Sequence, residues 1–168
     1  MIMPSRRSKS TPAGSQPSRS TALLVATGGG LGSVPLMPGT VGSLAGAAVC
    51  FPMLHLAWPL YLAITALLAA LAIWVSGRAA EELGQAAPPS VIVDEFVGMW
   101  VAALAIPFQL YDLAAVFLLF RLFDVIKPAP LPRLERLPGG FGIVADDLAA
   151  GLLARATWWL LQANFDFL

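Results

Sequence analysis

An all-α integral membrane bundle of about four to five apolar helices, with charged loops gathered on its cytoplasmic face, is the fold the sequence predicts. Three observations lead there. Hydrophobic residues make up 58% of the 168 residues and charged residues 12%, about half the charged share of a soluble domain. The 58 residues between Arg19 and Arg78 contain no charged side chain. A water-soluble fold could hardly cover so much apolar chain with so few charges. Apolar stretches of helical length also recur, separated by short charged or Pro-rich segments. Ten basic residues balance ten acidic ones. The composition therefore argues against a soluble enzyme, a disordered chain and a nucleic-acid binder, which needs a basic surface.

Taken in order, residues 1–20 are rich in Ser, Pro and Arg, lack apolar periodicity and read as a disordered basic tail. The folded membrane domain is assigned to residues 21–168. Residues 27–43 are thick with Gly and Pro and do not read as a regular helix. Val41 to Ala57 is apolar and turns near His55. Trp58 to Val75 is the cleanest span, with Trp58 and Trp74 as interfacial aromatics at its ends. Ser76 to Ser90 reads as a polar connection. Phe96 to Tyr111 and Leu113 to Phe120 read as a helical hairpin turning near Gln109 to Asp112. A charged, Pro-rich stretch follows, and Leu148 to Leu161 is apolar again, interrupted by Arg155. Cys50 reads as a small buried hydrophobe and His55 as an ordinary turn residue.

Charge sets the expected topology. With the basic tail inside, as the positive-inside rule prefers, Arg78, Arg121, Lys127, Arg133 and Arg136 return to the same face, leaving Arg155 as the exception. Glu81-Glu82, Asp94-Glu95 and Asp146-Asp147 return there too. Asp112 falls on the opposite face, where substitution by Asn should be nearly silent.

Asp94-Glu95 and Asp146-Asp147 each precede an apolar run. Helix capping is one reading of both. The other is that adjacent carboxylates, which repel, hold a divalent cation. Arg121, Asp124 and Lys127 lie three apart on one side of a helix that Pro128 should end. They form either a surface ion pair or a carboxylate ligand between two phosphate-binding cations. Gly39, Thr40 and Ser43 open an apolar helix. Exposed amides and the two hydroxyls there could bind an anion, or simply make a cap and turn.

Elimination narrows the chemistry. The charged face offers no His, no Ser or Cys beside a possible His base, and no Asp-x-Asp pair, which argues against triad hydrolysis and the common phosphoenzyme routes. Carboxylates, Arg and Lys remain. Oxygen donors without thiolates favour magnesium, which suits phosphoryl chemistry.

Four motifs in order resemble the phosphatidylglycerophosphatase A family of bacterial lipid phosphatases. They are Pro38-Gly39-Thr40-Val41-Gly42-Ser43, Val93-Asp94-Glu95-Phe96-Val97-Gly98-Met99-Trp100, Phe120-Arg121-Leu122-Phe123-Asp124-Val125-Ile126-Lys127-Pro128, and Gly139-Gly140-Phe141-Gly142-Ile143-Val144-Ala145-Asp146-Asp147, the last running on into Ala149-Ala150-Gly151. The resemblance covers about residues 22–152. It departs from some members at Pro138, where they carry His, and at Val93, where they carry Trp. It implies magnesium-dependent dephosphorylation of phosphatidylglycerophosphate to phosphatidylglycerol by a multi-pass protein of the bacterial inner membrane, with the lipid substrate drawn from the bilayer. The family's acidic positions, which implied catalysis and metal binding, fall on Asp94, Glu95, Asp124, Asp146 and Asp147, and its cations on Arg121 and Lys127. The alternative from another class is a small ion-coupled transporter or a membrane scaffold, in which the acidic pairs are coupling sites or caps.

Overall fold

The structure, a computed structural model, describes residues 20–35 and 37–164. The expected basic tail, Ser20 apart, lies outside the described residues. Among the described residues, seven α-helices make up most of the regular structure: Thr21–Ala26 (α1), Pro38–Cys50 (α2), Trp58–Leu83 (α3), Val93–Ala102 (α4), Leu110–Ile126 (α5), Leu131–Leu134 (α6) and Gly140–Asn164 (α7). Turns of 3-10 helix lie at Gly28–Ser33 and Phe51–His55. The all-α expectation is met.

Among the described residues, α3 is the one helix long and apolar enough to cross a membrane, with a mean hydropathy of 2.1 over its most apolar window. Its length, about 39 Å at 1.5 Å per residue, exceeds a hydrocarbon core of about 30 Å. Trp58 and Trp74 are both exposed on it. The helix runs through the expected polar connection as far as Leu83. Arg78, Glu81 and Glu82 are good helix formers, and no breaker intervenes before Gly84, which caps the helix at φ +63°.

Two further boundaries differ from expectation. The connection after α4 falls at Ala103 to Gln109, earlier than the expected turn, because Pro107 cannot continue a helix. Asp112 is thus no loop residue. It sits in the first turn of α5 with no exposed surface. Its Oδ1 accepts hydrogen bonds from Trp158 Nε1 at 2.8 Å and Gln162 Nε2 at 2.9 Å. Arg155 lies beside this group and donates to the carbonyls of Leu104 and Ala105. The supposed exception in the charge pattern is therefore a buried latch that ties the α4–α5 connection to α7. The second difference is the start of α7 at Gly140 rather than Leu148. Asp146 and Asp147 lie inside the helix, too far along for capping.

Two apolar clusters share α4 and α7. One contains Met99, Trp100, Val116, Phe120 and Ala150, the other Leu23, Val75, Val97, Ile143 and Val144. Cys50 is buried in the first, as expected. Trp100 Nε1 donates to the Gly46 carbonyl at 3.0 Å, and the Tyr61 hydroxyl donates to the Trp100 carbonyl at 3.0 Å. These bonds fasten both α2 and α3 to α4 at Trp100.

The contact between α4 and α7 is closer than side chains would permit. A Cβ on Gly98 would stand 2.9 Å from the Asp147 carbonyl oxygen, and one on Gly151 would collide with the Gly98 carbonyl. Small residues allow such backbone approach. Gly98 lies one turn below Asp94, and Gly151 one turn below Asp147. The glycine contact thus sets the two carboxylates against each other.

Two stability changes follow. Gly151→Ala forces α4 and α7 apart and should destabilise the protein by about 1–3 kcal/mol, read as a lower thermal midpoint of the purified protein. Asp112→Ala strands the Trp158 and Gln162 donors and should cost about 2–3 kcal/mol, while Asp112→Asn, which keeps an acceptor oxygen, should recover part of that loss.

Candidate active site

The charged residues of four helices meet in one cavity of about 1070 Å³. Asp94 and Glu95 enter it from the first turn of α4, Arg121 and Asp124 from the last turns of α5, and Asp146 and Asp147 from α7. The end of α3 supplies Glu81 to the wall. The expectation that charged segments distant in sequence gather at one end of the bundle is met for these described residues.

The acidic residues fall into two overlapping groups. Asp94, Glu95 and Asp147 bring one carboxylate oxygen each to within 4.8 Å of one another, and so do Asp124, Asp146 and Asp147. Asp147 belongs to both. Asp94 Oδ1 and Glu95 Oε2 are buried without a hydrogen-bond partner. The residue before α4, Ile92, offers no side-chain cap, so neither acidic pair shows the bonding of a helix cap. Burial, and then the Glu95 charge, pushes the Asp94 carboxyl well above the usual carboxylate range. Burial, and then the charges of Asp124 and Glu95, does the same to Asp147. Unpartnered buried carboxylate oxygens with like-charged neighbours are a costly arrangement in isolation. A hard divalent cation would relieve it, and an all-oxygen donor set fits magnesium better than a softer metal.

The cations are held by bonds that the sequence reading anticipated in part. Arg121 Nη1 donates to Asp124 Oδ2 at 2.7 Å and to Ser43 Oγ at 3.2 Å. Lys127, the C-cap of α5 at φ +46°, pairs with residues other than Asp124. Its Nζ donates to Asp146 Oδ2 at 2.6 Å and to Glu135. Pro128 ends the helix as expected. Glu135 and Arg136 are both on the cavity wall; the sequence reading placed Arg136 on the charged face without a role in the site and passed over Glu135. They are single charges in a Pro-rich stretch, and only the charge alternation Arg133, Glu135, Arg136 marked it.

The expected anion-binding stretch divides. Gly39 faces the cavity, and a Cβ there would stand 2.5 Å from Glu95 Oε1. Ser43 is buried and reaches the site through Arg121, while its hydroxyl donates to the Gly39 carbonyl at 2.8 Å. Thr40 is not among the cavity-lining residues, and its amide is engaged with the Met37 carbonyl at 3.0 Å. Gly140 of the Gly-Gly-Phe-Gly stretch serves packing, since a Cβ there would collide with the Ile73 carbonyl of α3.

Residues 24–162 match the sequence profile of the family described as Phosphatidylglycerophosphatase A. The chain is 36% identical over 140 residues to phosphatidylglycerophosphatase A of Escherichia coli K12, covering 82% of this chain and 81% of that protein. It is 37% identical over 142 residues to phosphatidylglycerophosphatase A of Haemophilus influenzae, covering 83% and 87%. A putative phosphatidylinositol-3-phosphatase of Bacteroides thetaiotaomicron is 35% identical over 151 residues, covering 81% and 93%. No solved structure matches the chain significantly. A match this long, which takes in every acidic and basic residue of the cavity, establishes that the chain belongs to the phosphatidylglycerophosphatase A family.

Proposed function

We propose that this protein is a magnesium-dependent phosphatidylglycerophosphatase of the bacterial inner membrane, with its site at the cytoplasmic surface. It hydrolyses the phosphomonoester of phosphatidylglycerophosphate to phosphatidylglycerol and phosphate. The observation that carries the reading is the convergence of Asp94, Glu95, Asp124, Asp146 and Asp147 with Arg121 and Lys127 around one cavity, in a chain of this family.

Asp94, Glu95 and Asp147 would hold one ion, and Asp124, Asp146 and Asp147 a second. Bound magnesium would supply charge stabilisation at the phosphoryl group and a counter-charge for the buried carboxylates. Arg121 and Lys127 bind and neutralise the phosphoryl oxygens, a task suited to charge-assisted hydrogen bonds. Ser43 and Asp124 keep the Arg121 guanidinium aimed at the cavity. In the reaction water adds to phosphorus, the bond from phosphorus to the glycerol oxygen breaks, and a proton from water ends on the leaving oxygen. Asp94 Oδ1 and Glu95 Oε2, free of hydrogen bonds, are available for coordination or for holding that proton.

The membrane part of the proposal rests on α3 and on the apolar exterior. Leu67, Trp74, Leu118, Leu152 and Trp159 are all exposed, which suits helices facing lipid. The acyl chains of the substrate then reach the site laterally from the bilayer. The rival transporter reading is disfavoured by the family match. Asp112 Oδ1 and Arg155 Nε tie α5, α7 and the α4–α5 connection together, while Asp112 Oδ2 and Arg155 Nη1 have no partner among the described residues.

The direct test is phosphate release from phosphatidylglycerophosphate in mixed micelles, which magnesium should support and a chelator should abolish. Asp147→Asn removes a charge from both carboxylate groups. It should lower turnover by several orders of magnitude while leaving the thermal midpoint near that of the parent. Normal turnover in Asp147→Asn and Asp94→Asn alike would defeat the metal assignment. Gly39→Ala tests the geometry alone. Its methyl displaces the end of a flexible side chain, so the fold should hold, but a displaced Glu95 should reduce turnover about tenfold or more.

A further inference from the structure

We infer that Arg136 binds the phosphodiester of the lipid substrate and so selects headgroups that carry a second phosphate. The inference rests on the phosphatase reading above. Three cations line the cavity: Arg121, Lys127 and Arg136. The first two are tied to carboxylates at the catalytic end. Arg136 forms no ion pair and no side-chain hydrogen bond among the described residues, and it is exposed at the rim.

The chemistry of the substrate calls for such a group. Phosphatidylglycerophosphate carries a phosphomonoester at one end of a glycerol and a phosphodiester at the other. With the monoester at Arg121 and Lys127, the diester must lie where the headgroup gives way to the acyl chains. A cavity lined by acidic residues would repel that second anion unless a cation met it. Arg136 lines the same cavity as an exposed cation, unpaired among the described residues. It is followed at once by Leu137, and Phe141 is exposed nearby on the first turn of α7. Leu137, Pro138 and Ile143 line the cavity with Arg136, so charged and apolar groups both border it.

Its loop is also held in place. A Cβ on Gly142 would come 2.8 Å from the Glu135 carbonyl oxygen, so the loop is pressed onto α7. The Arg136 amide donates to the Arg133 carbonyl at 3.3 Å and the Leu137 amide to the Leu134 carbonyl at 3.0 Å. Within this loop Glu135 turns toward Lys127, and Arg136 is left for a ligand.

Two probes separate the two phosphates. Dihexanoylphosphatidylglycerol has the diester without the monoester, and inorganic phosphate has no diester. Calorimetric titration of the full chain in detergent should show Arg136→Ala weakening dihexanoylphosphatidylglycerol by about tenfold, the effect of losing one charge-assisted contact. Phosphate affinity should change by less than about twofold. Arg136→Lys should retain part of the lipid affinity. Equal losses for both probes, or no loss for the lipid, would overturn the inference. The titration needs no turnover. A parent unable to release phosphate would defeat the phosphatase reading, yet the comparison of the two probes would still decide the role of Arg136.

Discussion

The backbone contact between α4 and α7 at Gly98 and Gly151 is the constraint on which the site depends. Helices packed through ordinary side chains lie about 8–10 Å apart, and carboxylates one turn above such a contact would not meet. With both contact positions reduced to glycine, the helices approach until a Cβ on Gly151 would collide with the Gly98 carbonyl. Asp94 and Asp147, each one turn above its glycine, then share a cation-sized space with Glu95. The same contact draws both apolar clusters together, since α4 and α7 contribute to each. Packing and chemistry thus depend on the same two residues.

Holding five carboxylates in a partly buried cavity is unfavourable, and the fold offsets the cost unevenly. Asp124 and Asp146 have partners, in Arg121 at 2.7 Å and Lys127 at 2.6 Å. Asp94 Oδ1 and Glu95 Oε2 have none. Asp147 of α7 forms no ion pair among the described residues either, so the unbalanced charge is concentrated where Asp94, Glu95 and Asp147 meet. Structural ion pairs are usually closed on both sides. On the proposed reading, the open carboxylate oxygens at the cavity are ligand atoms, and the stability lost there serves binding.

Much of this was legible in the chain, and what was hidden has physical reasons. The apolar run from Trp58 and the apolar stretch that follows Asp94-Glu95 announced themselves through hydropathy and spacing. Pro128 marked the end of α5. The extension of α7 back to Gly140 was concealed because Gly139 to Gly142 reads locally as a turn, whereas its glycines answer to tertiary contacts with α3 and with the loop before α7. Asp112 looked like a turn residue because a carboxylate between apolar stretches usually is one. Its partners, Trp158 and Gln162, lie far along the chain. The pairing of Lys127 with Asp146 and Glu135 was hidden for the same reason, since helical spacing shows only neighbours on one element. The pairing of Gly98 with Gly151 has no local signature at all.

Diffraction from crystals grown with manganese, a divalent ion of similar oxygen-ligand preference to magnesium, tests the central claim most directly. The account predicts an anomalous peak between Asp94, Glu95 and Asp147, lost in Asp147→Asn crystals. Carboxylates without a peak between them, in parent crystals that retain the contact between Gly98 and Gly151, would contradict it.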